Sequence, residues 1–174
     1  MLRPPAIVLT AALVICLGLL GSGTASAVVR NGGSGSDKLR GTNANDTLRG
    51  RGGNDRLYGL TGDDLVVGGP GDDTVKGGQG VDDLGGGTGD DRINAGFDNV
   101  MDRTYGGPGD DVFFVFGPDE VSAGDGDDRI VAAYPDPTMF IQCGQGTDEV
   151  VFNQSPPSGV VSDDCEDVHV ESAG

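Results

Sequence analysis

From Gly32 to Asn94 the chain repeats itself every nine residues without a gap. The units read GGSGSDKLR, GTNANDTLR, GRGGNDRLY, GLTGDDLVV, GGPGDDTVK, GGQGVDDLG and GGTGDDRIN. Position 1 is glycine and position 6 is aspartate in every unit. Position 8 is always aliphatic: Leu39, Leu48, Leu57, Val66, Val75, Leu84 and Ile93. A nine-residue period matches neither the 3.6 period of a helix nor the 2.0 period of a strand. Glycines at positions 1, 2 and 4 permit positive φ at little steric cost, so the first six residues can turn tightly. Positions 7 to 9 then form a short strand with position 8 facing inward. Two units make one full coil, and coils stack as a solenoid.

After Asn94 the beat slips. AGFDNVMDRTY (95–105) is two residues too long, with Asp102 standing at position 6. GGPGDDVFF restores the pattern from Gly106, and VFGPDEVS (115–122) is one residue short. AGDGDDRIV returns from Ala123, AAYPDPTMFIQ (132–142) breaks the pattern again, and CGQGTDEVV resumes it from Cys143. Beyond Phe152 the repeat is lost. The register after residue 95 is open at this level. The apolar VFFVF (112–116) is expected to pack against the last coils.

GGSGSDKLR fits G-G-x-G-x-D-x-U-x, the calcium-binding nonapeptide, at every specified position. Through this unit and its tandem copies, residues 32–151 resemble the RTX, or hemolysin-type, calcium-binding repeat family. The resemblance implies an all-β fold, a parallel β-roll of two short sheets set back to back. Alternate repeats would stack on one edge about 4.8 Å apart, the spacing of neighbouring strands. It also implies calcium held between turns n and n+2. The residue chemistry points the same way. Calcium takes about six to eight hard oxygen ligands, carboxylates and carbonyls. A tight glycine turn aims carbonyls inward, and the aspartate at position 6 adds a carboxylate. By parity, Asp37, Asp55, Asp73, Asp91 and Asp111 are candidate ligands along one edge, and Asp46, Asp64, Asp82 and Asp102 along the other. Asp128 and Asp148 are the candidates of the later units. Register, not the acidic doublet, assigns the roles: Asp82 is a ligand and Asp83 lies on the strand, while Asp72 and Asp90 face solvent.

Charge separates this reading from a disordered acidic chain. The sequence holds 28 acidic and 11 basic residues. So acidic a chain is not expected to bind nucleic acid or anionic membranes. High charge and low hydrophobicity are also the signature of disorder. A disordered segment, however, needs no glycine register and no aliphatic residue in every unit. Roughly six to nine Ca²⁺ ions, between five n/n+2 pairs and the irregular turns, would bring about 12–18 positive charges. That equals the deficit. Without metal the carboxylates repel and the glycines favour the unfolded chain, so folding is expected to be coupled to calcium.

The two ends differ from the repeats. Residues 1–27 carry Arg3, an apolar run from Ala6 to Leu20, and Ala25-Ser26-Ala27. That is the pattern of a secretory signal peptide cut after Ala27, and it predicts a secreted chain with no membrane attachment after cleavage. Residues 28–151 are then the roll and 152–174 a capping segment. Cleavage leaves Cys143 and Cys165, an even pair that reads as a disulfide in an exported protein. The stretch from Cys143 to Val170 also resembles the C-terminal end of small secreted repeat proteins from actinobacteria.

Outward positions 7 and 9 place Lys38, Arg40, Arg56, Lys76 and Arg92 on one of the two sheets. Such a stripe suits an acidic polysaccharide or a cell-wall polymer. It also serves to balance the acidic turns and blunt sheet-to-sheet aggregation. The other sheet shows no regular Thr ladder, against an ice-binding face.

No catalytic activity is expected. His169 is the single histidine, in EDVHV, and no G-x-S-x-G context accompanies it. The Asp-Asp doublets recur too evenly for glycosidase chemistry. An EF-hand reading of 125–136 fails, because Arg129 falls on a ligand position. In larger RTX proteins the repeats are attached to proteases, lipases, toxins or epimerases, and no stretch here is left to hold one. Three functions follow in order: an extracellular calcium-binding roll of structural or adhesive role, a calcium-dependent carbohydrate or cell-wall binding module, and a small polysaccharide hydrolase or lyase. Oligomeric state is not readable.

Overall fold

The computed structural model describes residues 25–171. The expected leader therefore lies outside the described residues, except for its last three positions. Fifteen strands form two sheets, and every strand pair is parallel. One sheet holds β1 (Val29–Asn31), β3 (Thr47–Arg49), β5 (Leu65–Pro70), β7 (Asp83–Thr88), β9 (Arg103–Pro108), β11 (Glu120–Asp125) and β13 (Phe140–Gln145), in that order. The other holds β2 (Lys38–Arg40), β4 (Arg56–Thr61), β6 (Thr74–Gln79), β8 (Arg92–Gly96), β10 (Val112–Gly117), β12 (Arg129–Pro135), β14 (Glu149–Phe152) and β15 (Asp167–Val170), again in chain order. From β1 to β14 each strand pairs with the one two away, so the chain crosses from sheet to sheet at every turn; β15 then pairs with β14 itself. The parallel β-roll expected from the repeat is the observed fold.

Like positions pair with like. Leu57 lies opposite Val75 and Val66 opposite Leu84. This register stacks position 8 into two buried columns: Leu48, Val66, Leu84, Thr104, Val121 and Ile141 in one sheet, Leu57, Val75, Ile93, Phe113, Ile130 and Val150 in the other. A shift by one residue would turn every aliphatic side chain to solvent, so the pattern enforces the register.

The strands are longer than expected. From β4 onward most span six residues, positions 7 to 9 and then 1 to 3 of the next unit. The turn is therefore only positions 4 to 6. Position 1 also points inward, a second buried column behind position 8. It is glycine in the early coils and becomes Ala95, Val115, Ala123, Ala132, Cys143 and Phe152 later, so the core thickens toward the C-terminal end. From Arg51 to Gly107 position 2 adopts positive φ, carried by Arg51 and Leu60 in two early units and by glycine from Gly69 to Gly107, where coils stack closely. At Gly69 φ is +119°, and a Cβ there would lie 2.0 Å from the Arg51 carbonyl oxygen of the coil before.

The irregular units are absorbed in the turns. The coil from Asp82 to Asp102 and that from Asp91 to Asp111 each carry 20 residues, and the next pair carry 17. The strands stay paired throughout. VFFVF does not cap the roll. It is β10, paired with β8 on one side and β12 on the other, with Phe113 and Val115 in the core. The C-terminal segment supplies the last turn. Val161 bridges to Ile141, Val160 is buried, and β15 adds to the edge of β14. A Cys143–Cys165 disulfide ties this segment to β13, as the cysteine pair predicted.

Candidate metal centres

The eleven aspartates singled out from the sequence fall into two columns, one along each edge of the roll. Ten of them are buried; Asp37, in the first turn, is half-buried. The link between coils is the same each time. The Oδ1 of each aspartate accepts the backbone N–H of the aspartate one coil earlier. Asp55, Asp73 and Asp91 accept from Asp37, Asp55 and Asp73 at 2.7 Å each. Asp111, Asp128 and Asp148 continue that edge. On the other edge Asp46 accepts from Val28, and Asp64, Asp82 and Asp102 follow.

The second carboxylate oxygen is the informative one. The Oδ2 atoms of Asp55, Asp64, Asp73, Asp82, Asp91, Asp111, Asp128 and Asp148 are buried without a hydrogen-bond partner. Buried polar atoms in folded proteins are nearly always paired, and an orphaned carboxylate oxygen is costly. Eight in register point to a ligand. Other oxygens lie close by. At Gly68 a Cβ would sit 2.2 Å from Asp73 Oδ2 and 2.5 Å from the Gly86 carbonyl oxygen. The absence of a side chain there lets oxygens of successive coils face one space. The donors are carboxylates and carbonyls, a set of hard oxygens that fits Ca²⁺.

Taken without metal, the columns are electrostatically strained. Burial, opposed by the backbone N–H bond and reinforced by neighbouring carboxylates, raises Asp64 and Asp73 from 3.8 to about 6. The same causes raise Asp82, Asp91, Asp111 and Asp128 to about 7 and Asp102 to about 8. Asp148 is raised as well. Asp63, Asp72, Asp90 and Asp110 face solvent, where their carboxylates cap backbone N–H groups of the neighbouring coil at 2.9–3.2 Å.

Two acids escaped the sequence reading. Asp119 is 1 % exposed and occupies the place above Asp102, whose N–H it accepts. Its other oxygen accepts the Phe116 N–H, and burial raises it to about 6. Glu166 extends the other column by accepting the Asp148 N–H at 2.9 Å. A signal for both was present: each stands two residues before an inward or column-aligned valine, Val121 and Val168, as position 6 stands before position 8. Asp98, in the two-residue insertion, accepts the Gly80 N–H and adds negative charge beside Asp82, Asp102 and Asp119.

A family model for the RTX calcium-binding nonapeptide repeat matches the chain four times, at residues 31–66, 58–93, 67–100 and 116–133. Together these matches cover half of the chain. The chain belongs to this family. No curated protein matches it. Calcium binding in a structural role follows for its RTX repeats. Proteins built of such repeats are typically extracellular.

His169 lies apart from the RTX columns, on the outer face of β15. Its Nδ1 is 3.4 Å from Asp167, and its Nε2 is 3.7 Å from Glu149 and 3.9 Å from Glu171. The imidazole therefore stands among three carboxylates.

Proposed function

We propose that this protein is an extracellular RTX roll that folds around calcium and serves a structural or adhesive role. The observation that carries the reading is the set of eight buried, unpartnered Asp Oδ2 atoms, six on one edge of the roll and two on the other. Asp37, Asp46, Asp55, Asp64, Asp73, Asp82, Asp91, Asp102, Asp111, Asp128 and Asp148 are the proposed ligands, joined by Asp119 and Glu166 where the columns continue. Bound calcium supplies the positive charge that these columns lack. The residues do the rest: from Asp46 on each Oδ1 fixes the stacking of two coils, and eight Oδ2 atoms are held ready by a backbone already in register, while those of Asp37, Asp46 and Asp119 accept the N–H groups of Gly33, Thr42 and Phe116. A mature chain starting at Val28, a roll over 28–151 and a capping segment over 152–174 complete the proposal. The disulfide fits an oxidising compartment. Roughly six to nine ions remain the expected stoichiometry, set by the number of adjacent turn pairs.

An adhesive role needs a surface for a partner. The basic strip on the outer face of the eight-stranded sheet favours that role over a purely architectural one. Circular dichroism of the mature chain in calcium, in magnesium and in EDTA tests the folding. A β-rich spectrum in calcium that collapses in EDTA is expected, with calcium uptake of several ions by titration calorimetry. A β-rich spectrum that persists in EDTA at neutral pH refutes it.

A further inference from the structure

The outer face of β2, β4, β6 and β8 carries charge only at positions 7 and 9, its outward position 2 holding Leu60 and Gly78. Its charged residues are Lys38, Arg40, Arg56, Lys76 and Arg92, all exposed and all basic, in a chain with 28 acids and 11 bases. Elsewhere on the roll two arginines are paired, while Arg30, Arg49 and Arg51 are exposed with no ion pair among the described residues. Arg103 contacts Glu120 and Arg129 contacts Glu149. Among the described residues none of the five makes an ion pair. Two of them flank an aromatic ring instead: the Nζ atoms of Lys38 and Lys76 lie 5.6 and 5.9 Å from the centre of Tyr58. What sets the five apart is that no acid shares their face.

A groove of about 510 Å³ adjoins the strip. Arg40 and Lys76 line it together with Thr61, Gln79, Asn94 and Phe97. Its size is within the range of ligand-binding clefts. It offers cations for carboxylates, amides and a hydroxyl for sugar hydroxyls, and the Phe97 ring for a sugar face.

Shape narrows the class of partner. Positions 7 and 9 are two residues apart, so the strip is about 7 Å wide, and four strands make it about 14 Å long. The acidic turn columns run along both sides. A single extended polyanion fits inside such a strip. A nucleic-acid duplex, with a charge every ~1.7 Å and far greater width, would overhang the acidic edges. We propose that this face binds a segment of an acidic polysaccharide, one carboxylate-bearing sugar after another, over Arg56, Tyr58 and Lys76. The inference rests on the calcium-folded roll, because only stacked coils bring the five cations onto one face. Calcium also lowers the net negative charge that would otherwise repel a polyanion.

The test compares carboxymethyl-dextran with unmodified dextran in titrations with the full mature chain in calcium. Binding to the carboxymethylated polymer alone is expected, weakening as salt rises. Arg56→Gln/Arg92→Gln should weaken it at least tenfold, whereas Arg49→Gln on the other sheet should change it less than twofold. Equal binding of both dextrans, equal binding by the double variant, no binding at all, or tighter binding to a DNA duplex or to anionic lipid vesicles would each overturn the proposal. Circular dichroism of the same samples separates the failures. A chain unfolded in calcium removes the folding reading and the face with it. A folded chain that ignores the polyanion removes the face alone.

Discussion

Removing calcium should make this protein prefer acid. The raised carboxylates set the sign. A carboxyl whose folded-state value lies above its unfolded value binds protons more tightly in the folded state. The metal-free roll is therefore most stable below the unfolded value and loses stability as pH rises through the folded one. For Asp82, Asp91, Asp111 and Asp128 the window runs from 3.8 to about 7. About three units correspond to about 4 kcal/mol for each group at neutral pH. The turns lie close to solvent, and screening reduces this to about 2 kcal/mol. Four such groups then oppose folding by about 8 kcal/mol, the size of a whole domain's stability. At pH 5 all four are protonated in the folded state, and about 4 kcal/mol of that opposition is gone. A protonated Asp73 Oδ2 can also donate toward the Gly86 carbonyl that faces the same space.

The assay is far-UV circular dichroism in EDTA, with trimethylamine N-oxide titrated in to drive folding at pH 7 and at pH 5. The osmolyte needed should fall markedly at pH 5. That pH stays above the isoelectric point near 4.1, where the chain would precipitate. In calcium the trend reverses, since protons compete with metal for the same oxygens. An EDTA sample that folds at pH 7 without osmolyte, or one that needs the same osmolyte at both pH values, would refute the electrostatic argument.

Three further outcomes follow from individual residues. Asp82→Asn should raise the calcium midpoint of folding several-fold, whereas Asp83→Asn, one residue away on the outer strand face, should shift stability by less than about 0.5 kcal/mol; equal effects in a calcium titration would contradict the assignment by register. Cys143→Ser/Cys165→Ser removes a cross-link spanning 22 residues, with a loss of about 3 kcal/mol in thermal melts and faster amide exchange in β15 than in β6. Gly69→Ala should destabilise the calcium-bound roll by more than about 2 kcal/mol in urea, because its methyl group would meet the Arg51 carbonyl at a positive φ.

Much of the roll is legible in the amino-acid sequence. Seven unbroken units state the turn, the inward aliphatic residue and the acidic column, because each depends only on neighbours within nine residues. The length of the strands was not legible. Position 1 points inward, but a glycine there leaves no mark in a hydrophobic pattern, so β4 to β7 read three residues short. Asp119 was hidden because its coil is short and VFGPDEVS falls out of beat. VFFVF read as an end piece because five apolar residues break the alternation. In the structure Phe114 lies on the outer face while Phe113 and Val115 are enclosed, so the strand obeys the same alternation as its neighbours.

What the sequence determined alone was the period, and with it the fold: turn, strand, and a carboxylate at each corner. Only the tertiary structure decided how coils of 17, 18 and 20 residues remain stacked, since extra residues cost little in a turn and would cost a whole ladder in a strand. Only stacking could reveal that one oxygen of the buried aspartates is used by the neighbouring coil while, in eight of them, the other is left without a partner. That division depends on a neighbour eighteen residues away in sequence and one strand away in space.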